Sequence, residues 1–110
     1  MSDEIKKCLL DIKICIESIF EYLKNTKTLA DYQKNKLVRR AVEREIEIIG
    51  EAMNRILKLE PDFKIENARK IVDTRNWVIH AYDNVDEIII WGVLTTHLPK
   101  LQKEIEKLLQ

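Results

Sequence analysis

The chain has 110 residues, 45% of them hydrophobic and 35% charged, with a formal net charge of zero. That length gives one domain, residues 1–110, able to bury roughly two-thirds of its unfolded surface, and the composition is too apolar for a disordered chain. Zero net charge excludes capture of nucleic acid by bulk positive charge alone, though not by a local basic groove.

Only two Gly and two Pro interrupt the sequence, so long helices are expected. The first segment carries Ile5, Leu9, Ile12, Ile16, Ile19 and Leu23 at alternating spacings of four and three, one face of a helix. Cys8, Cys15 and Tyr22 widen that stripe. Leu10, Ile14 and Phe20 lie off it and predict burial on more than one side. Ser2 or Asp3 is placed to cap the start, and "NTKT" ends the helix near residue 26. Cys8 and Cys15 would stand two turns apart, about 10 Å along the axis, too far for a disulfide. Both read as reduced packing residues of a cytoplasmic protein. "MSDEIKK" lacks the apolar core of a signal peptide.

"TLADYQKN" reads as a polar connection with at most a short helical turn. A second helix is expected over residues 35–59, with Val38, Ala41, Val42, Ile49, Ala52, Met53, Ile56 and Leu59 on its apolar face. Glu45 falls inside that face. A carboxylate there either pairs with an Arg or sits where the stripe meets solvent. Gly50 in mid-helix costs about 1 kcal/mol relative to Ala, which close approach of a neighbouring helix would justify. Lys34, Lys36, Arg39, Arg40 and Arg44 form a basic strip near the start of this helix, either a solvated charged face, which is the preferred reading, or a contact surface for RNA.

"EPDF" breaks the chain, and a third helical pattern spans residues 65–82 with an interruption near Asp73 or Thr74. "DNVD" is turn chemistry, with Asp86 as a prospective N-cap. The last pattern covers residues 87–109, with Leu94, Leu98, Leu101, Ile105 and Leu108 in four-three spacing. Pro99 lacks an N–H and crowds the preceding turn, which predicts a kink or two helices meeting at Leu98. The longest apolar run, Ile88 to Leu94, is far short of a membrane span. The expected fold is all-α, a bundle of four or five up-and-down helices.

The chemistry concentrates in "RNWVIHAY", residues 75–82. On a wheel of 100° per residue, Arg75 and Tyr82 share the face of Ala68, Ile71, Val72, Val78 and Ile79. Asn76 and His80 are adjacent on the next stripe. The four cover an arc of about 160° on a regular helix, which suits a groove wall better than a small pocket. Taken singly, each has a structural explanation: Arg75 as a core cation bridging Glu45 or Glu51, His80 and Tyr82 as packing residues with satisfied polar tips. Together they suit cleavage of RNA without a metal. Arg fits phosphate oxygens, and His moves protons near neutral pH. No Cys-x-x-Cys, His-x-x-x-His, glycine-rich phosphate loop or Gly-x-Ser-x-Gly elbow is present. This reaction wants both an acid and a base, yet the segment supplies one His. His97 reads as structural or exposed, so a symmetric dimer is the natural source of a second His80.

The segment Arg, four residues, His, one residue, Tyr resembles the signature of HEPN-domain proteins, in particular the HepT-like toxins. "EIEIIGEAMNRI" resembles that family's second-helix segment, and "NVDEIIIWGVLTTHLPKLQKEIEKLL" its C-terminal part with the Leu-Pro break. The three blocks come in the family's order. The resemblance implies a HEPN-like helical homodimer with the signatures facing each other across a cleft, acting as a metal- and cofactor-independent endoribonuclease. It implies the toxin of a type VII-like toxin–antitoxin pair whose partner is a minimal nucleotidyltransferase antitoxin. By position, Arg75 would bind the scissile phosphate, His80 would be the acid–base residue, Asn76 would support the site, and Tyr82 would receive AMP from the antitoxin. Two other functions remain open on the sequence: a non-catalytic nucleotide- or RNA-binding subunit of a nucleotidyltransferase, and a structural helical dimer.

Overall fold

The structure, a computed structural model, describes residues 1–66, 70, 72, 73 and 85–110. Every regular element among them is helical.

Helix α1, Asp3–Tyr22, starts where Ser2 Oγ accepts the Ile5 N–H at 3.1 Å. Asp3 and Glu4 in its first turn suit the positive end of the helix dipole. It stops at Tyr22 and not near residue 26, because residues 23–25 tighten into turns and the Thr26 N–H folds back onto the Leu23 carbonyl. The expected stripe is the buried one: Ile5, Leu9, Ile12, Ile16 and Ile19 are at most 4% exposed, with Cys8 and Cys15 beside them as free thiols. The second buried side is only partly realised. Phe20 packs against the core, whereas Leu10 and Ile14 are 48% and 60% exposed.

The polar connection holds a helix of its own, α2, Leu29–Lys34, capped by Thr28. Its Tyr32 is fully buried and stacks on Trp91, with ring centroids 5.4 Å apart and tilted by 34°. Helix α3, Lys36–Leu59, begins where Asn35 Oδ1 accepts the Val38 N–H at 3.1 Å. Val42, Ile46, Ile49, Ala52, Met53 and Ile56 form its buried face against α1. Leu59, expected on that face, is 47% exposed at the helix end. Gly50 is buried in mid-helix.

Ile65 is buried but not helical, so the third helical pattern does not start there. The Glu66 N–H donates to Glu104 Oε2 at 2.7 Å, fastening this loop to the C-terminal helix. Residues 70, 72 and 73 are helical, and the rest of the expected third helix lies outside the described residues. Helix α4, Val85–Gly92, starts before Asp86, so Asp86 is inside the helix and is not its N-cap.

A π-helical turn, Val93–His97, joins α4 to α5, Leu98–Leu109. Pro99 has no N–H to give to the preceding turn, and the backbone accommodates this by widening ahead of it. The Leu98 N–H reaches back to the Val93 carbonyl, five residues away. Thr95 Oγ1 donates to the Trp91 carbonyl at 2.9 Å, a side chain doing the work of a backbone donor. The expected meeting of two helices at Leu98 is thus present. Leu98, Leu101 and Ile105 of α5 complete the core against α1.

Candidate functional site

Arg75, Asn76, His80 and Tyr82 lie outside the described residues. The described structure supplies what brackets them: the helical residues Lys70, Val72 and Asp73 on one side, and α4 with its π-turn on the other. Val72 is buried in the core, while Lys70 and Asp73 are exposed. One face of a helix thus turns inward and the next outward, as the heptad spacing requires.

Between these brackets lies a cavity of about 450 Å³, lined among the described residues by Lys70, Asp73, Ile89, Gly92, Val93, Thr96 and His97. Its apolar wall is Ile89 and Val93. Its polar groups are a cation, a carboxylate, a hydroxyl and an imidazole. The π-turn is what puts Thr96 and His97 there, because the wider turn rotates both side chains relative to a continuous α-helix. His97 is therefore neither a buried core residue nor a freely exposed one. It is partly exposed at a cavity wall, with Nδ1 shut from water and without a hydrogen-bond partner. The sequence signal for this was the Leu98-Pro99 break, which marks where the turn must deform.

Glu45 has a different environment from the one expected. Its partner is a tyrosine: Tyr22 Oη donates to Glu45 Oε2 at 3.0 Å, joining the end of α1 to the first half of α3. This hydrogen bond raises the Tyr22 pKa above its ordinary value. Cys15 lies one helical repeat back. Burial, then the charge and hydrogen bonding of Glu45, push its thiol up to about 12. The carboxylate is half-buried where the apolar stripe meets solvent, the second of the two expected settings.

The basic strip is largely neutralised. Arg40 pairs with Glu43 at 3.0 Å and Arg44 with Glu47 at 3.1 Å, each one turn along α3. Arg39 Nε lies 3.2 Å from Glu87 Oε1 on α4. Lys34 and Lys36 instead border a polar depression with Asn25, Thr26, Asp31 and Asn35. Among the described residues no group of three His, Cys, Asp or Glu is arranged to hold a metal ion, and no helix is long and apolar enough to cross a membrane.

The family model described as "Ribonuclease HepT-like" matches residues 12–108. This chain belongs to the HepT-like ribonuclease family. The matched span contains all of residues 75–82. Among similar proteins, "Putative RNase MJ1380" of Methanocaldococcus jannaschii is 33% identical over 94% of each chain. "Putative RNase MJ1216" of the same organism is 30% identical over 97% of this chain and 88% of its own. "Probable ribonuclease HepT" of Thermococcus cleftensis is 34% identical over 94% of each. The similarity to these three relatives spans 88–94% of their own chains. No solved structure matches the chain.

Proposed function

We propose that this HepT-like chain is a metal-independent endoribonuclease, working as a homodimer and serving as the toxin of a type VII-like toxin–antitoxin pair. The observation that carries the reading is the family match over residues 12–108, within which the sequence Arg75, four residues, His80, one residue, Tyr82 is complete. The names of the M. jannaschii and T. cleftensis relatives support RNA as the substrate.

In the proposed reaction an RNA 2′-hydroxyl loses its proton to a base and attacks the adjacent phosphorus. The 5′-oxygen leaves with a proton from an acid, giving a 2′,3′-cyclic phosphate and a 5′-hydroxyl. Arg75 binds the phosphate oxygens as negative charge builds on them. His80 of one protomer takes the proton and the second copy gives one, so two chains supply what one lacks. Asn76 orients these groups. AMP added to Tyr82 by a nucleotidyltransferase partner brings negative charge and bulk to the RNA path and closes it.

Expression in a bacterial host tests the reading as a whole. The chain alone is expected to arrest growth, Arg75→Ala or His80→Ala to abolish the arrest, and co-expression of the cognate nucleotidyltransferase to relieve it. Equal arrest by wild type and both variants would refute the assignment of the site.

A further inference from the structure

The polar depression where the end of α1, the short α2 and the start of α3 meet has a volume of about 410 Å³. None of the residues lining it, Asn25, Thr26, Asp31, Lys34, Asn35 and Lys36, is hydrophobic. Its cations are uncommitted. Among the described residues the ion pairs of the basic strip belong to Arg39, Arg40 and Arg44, and neither Lys34 nor Lys36 has one. Asp31 lines the same depression without pairing to either lysine.

Thr26 points to a ligand. It is 7% exposed, a polar residue in an otherwise hydrophobic buried set. Its N–H bonds to the Leu23 carbonyl, but among the described residues its hydroxyl has no hydrogen-bond partner. Buried hydroxyls are almost always satisfied. Tyr32 Oη and His97 Nδ1 are the unpartnered side-chain atoms wholly shut from water among the described residues. The Thr26 hydroxyl is not shut off in that way, so it opens onto the depression that its residue lines. The backbone adds donors. The first N–H groups of a helix have no partner within it. Asn35 Oδ1 takes that of Val38 and the Asn35 carbonyl that of Arg39, which leaves those of Lys36 and Leu37. Helix α3 is 24 residues long, and no acidic residue in its first turn offsets the positive end of its dipole. Two ammonium groups, two amides, a hydroxyl and free N–H groups are a set of donors. A group that presents several anionic oxygens to such a set is a phosphate. Asp31 is the one anion in the depression, and it opposes a bound phosphate.

We propose that this corner is a phosphate-binding site, in which Lys34, Lys36 and the Thr26 hydroxyl hold the phosphate oxygens at the N-terminus of α3. The phosphate is that of an RNA strand or of a free phosphate, the same chemistry from two sources. The site is separate from Arg75 and His80 and does not depend on cleavage.

Two probes are titrated into the full chain at low salt. One is inorganic phosphate, followed by calorimetry. The other is a fluorescent 2′-fluoro RNA oligonucleotide, which lacks the attacking hydroxyl, so binding is read apart from cleavage. Thr26→Val and the double variant Lys34→Gln/Lys36→Gln are each expected to weaken binding by roughly tenfold, while Thr26→Ser stays near wild type. Asp31→Asn should tighten binding, a gain that a misfolded variant would not give. Lys6→Gln/Lys103→Gln makes the same change of charge on α1 and α5 and should leave binding of inorganic phosphate as it was. Melting temperatures show whether Thr26→Val folds, and if it does not, the lysine variant and Asp31→Asn decide. Two results support the site and tell its sources apart. A shallower salt dependence of RNA binding in the lysine variant, by a slope of about one to two, assigns the phosphate to a strand. Loss of inorganic phosphate with RNA binding and its salt dependence unchanged assigns it to a free phosphate. No binding of either probe by the wild type would overturn the site. So would binding unchanged in both Thr26→Val and the lysine variant, or weakened equally by the Lys6 and Lys103 pair.

Discussion

Arg39 is bound at both ends of its guanidinium: Nε lies 3.2 Å from Glu87 on α4, and Nη1 donates to the Gln33 carbonyl in α2. The two side chains of the ion pair are only 14% and 19% exposed, so water screens them less than a surface pair. One residue of α3 is thus tied both to α2 and to α4, the helix that leads into the π-turn. Arg39→Ala is expected to lower unfolding free energy by about 1–3 kcal/mol, because it strands Glu87 and a backbone carbonyl together. Arg39→Lys should recover only part, since an ammonium cannot reproduce the planar fork. Urea unfolding of the three proteins measures both.

Tyr32 presents the opposite case, a polar atom with too few partners. Its ring is fully buried against Trp91, yet its hydroxyl has no hydrogen-bond partner. Tyr32→Phe keeps the stacking and removes the orphan group, so it should be neutral or stabilising by up to about 1 kcal/mol. Tyr32→Ala leaves a cavity and should cost about 3–5 kcal/mol. A clear loss of stability in the Phe variant would show that the hydroxyl is satisfied.

Alkaline pH should destabilise the fold. Burial raises Cys15 to about 12 and raises Tyr32, and the hydrogen bond to Glu45 raises Tyr22. The folded state therefore favours the neutral form of each. Their contribution is complete below the ordinary values of 9.0 for the thiol and 10.0 for the phenols, and is lost as pH climbs through the folded values. Melting temperature measured in reductant should start to fall above about pH 9. Cys15→Ala should remove part of that fall. Glu45→Gln should reduce it through Cys15 and Tyr22 but leave the share of Tyr32.

Much of this was legible in the sequence, and the gaps have physical causes. The stripe from Ile5 to Ile19 and the face from Val42 to Ile56 could be read because one apolar periodicity dominates each. Tyr32 is not legible as core, since its short segment shows no sustained apolar periodicity and its burial depends on Trp91, some sixty residues away. Glu45 stands out as a carboxylate on an apolar face, but pattern alone does not point to Tyr22 as its partner. At Pro99 the break was visible, whereas its consequence for Thr96 and His97 depends on how the backbone widens. The signature at 75–82 was conspicuous for the opposite reason, as polar chemistry on a face that packing would have filled with aliphatics.

The proposed off-switch has a mass signature. Co-expressed with its nucleotidyltransferase, the chain should gain one or more AMP units by intact mass spectrometry, and Tyr82→Phe should gain none. An unchanged mass in the wild type would remove the switch without touching the nuclease.

The proposed function stands or falls with RNA cleavage by Arg75 and His80 without a metal. Its most direct test is cleavage of a mixed RNA pool by purified, unmodified protein in excess EDTA. The wild type is expected to cut and to leave 2′,3′-cyclic phosphate ends. Arg75→Ala and His80→Ala should each slow cutting by about 10²–10⁴-fold with melting temperatures close to wild type. No cutting by the wild type, or cutting undiminished in the two variants, would contradict this assignment of Arg75 and His80.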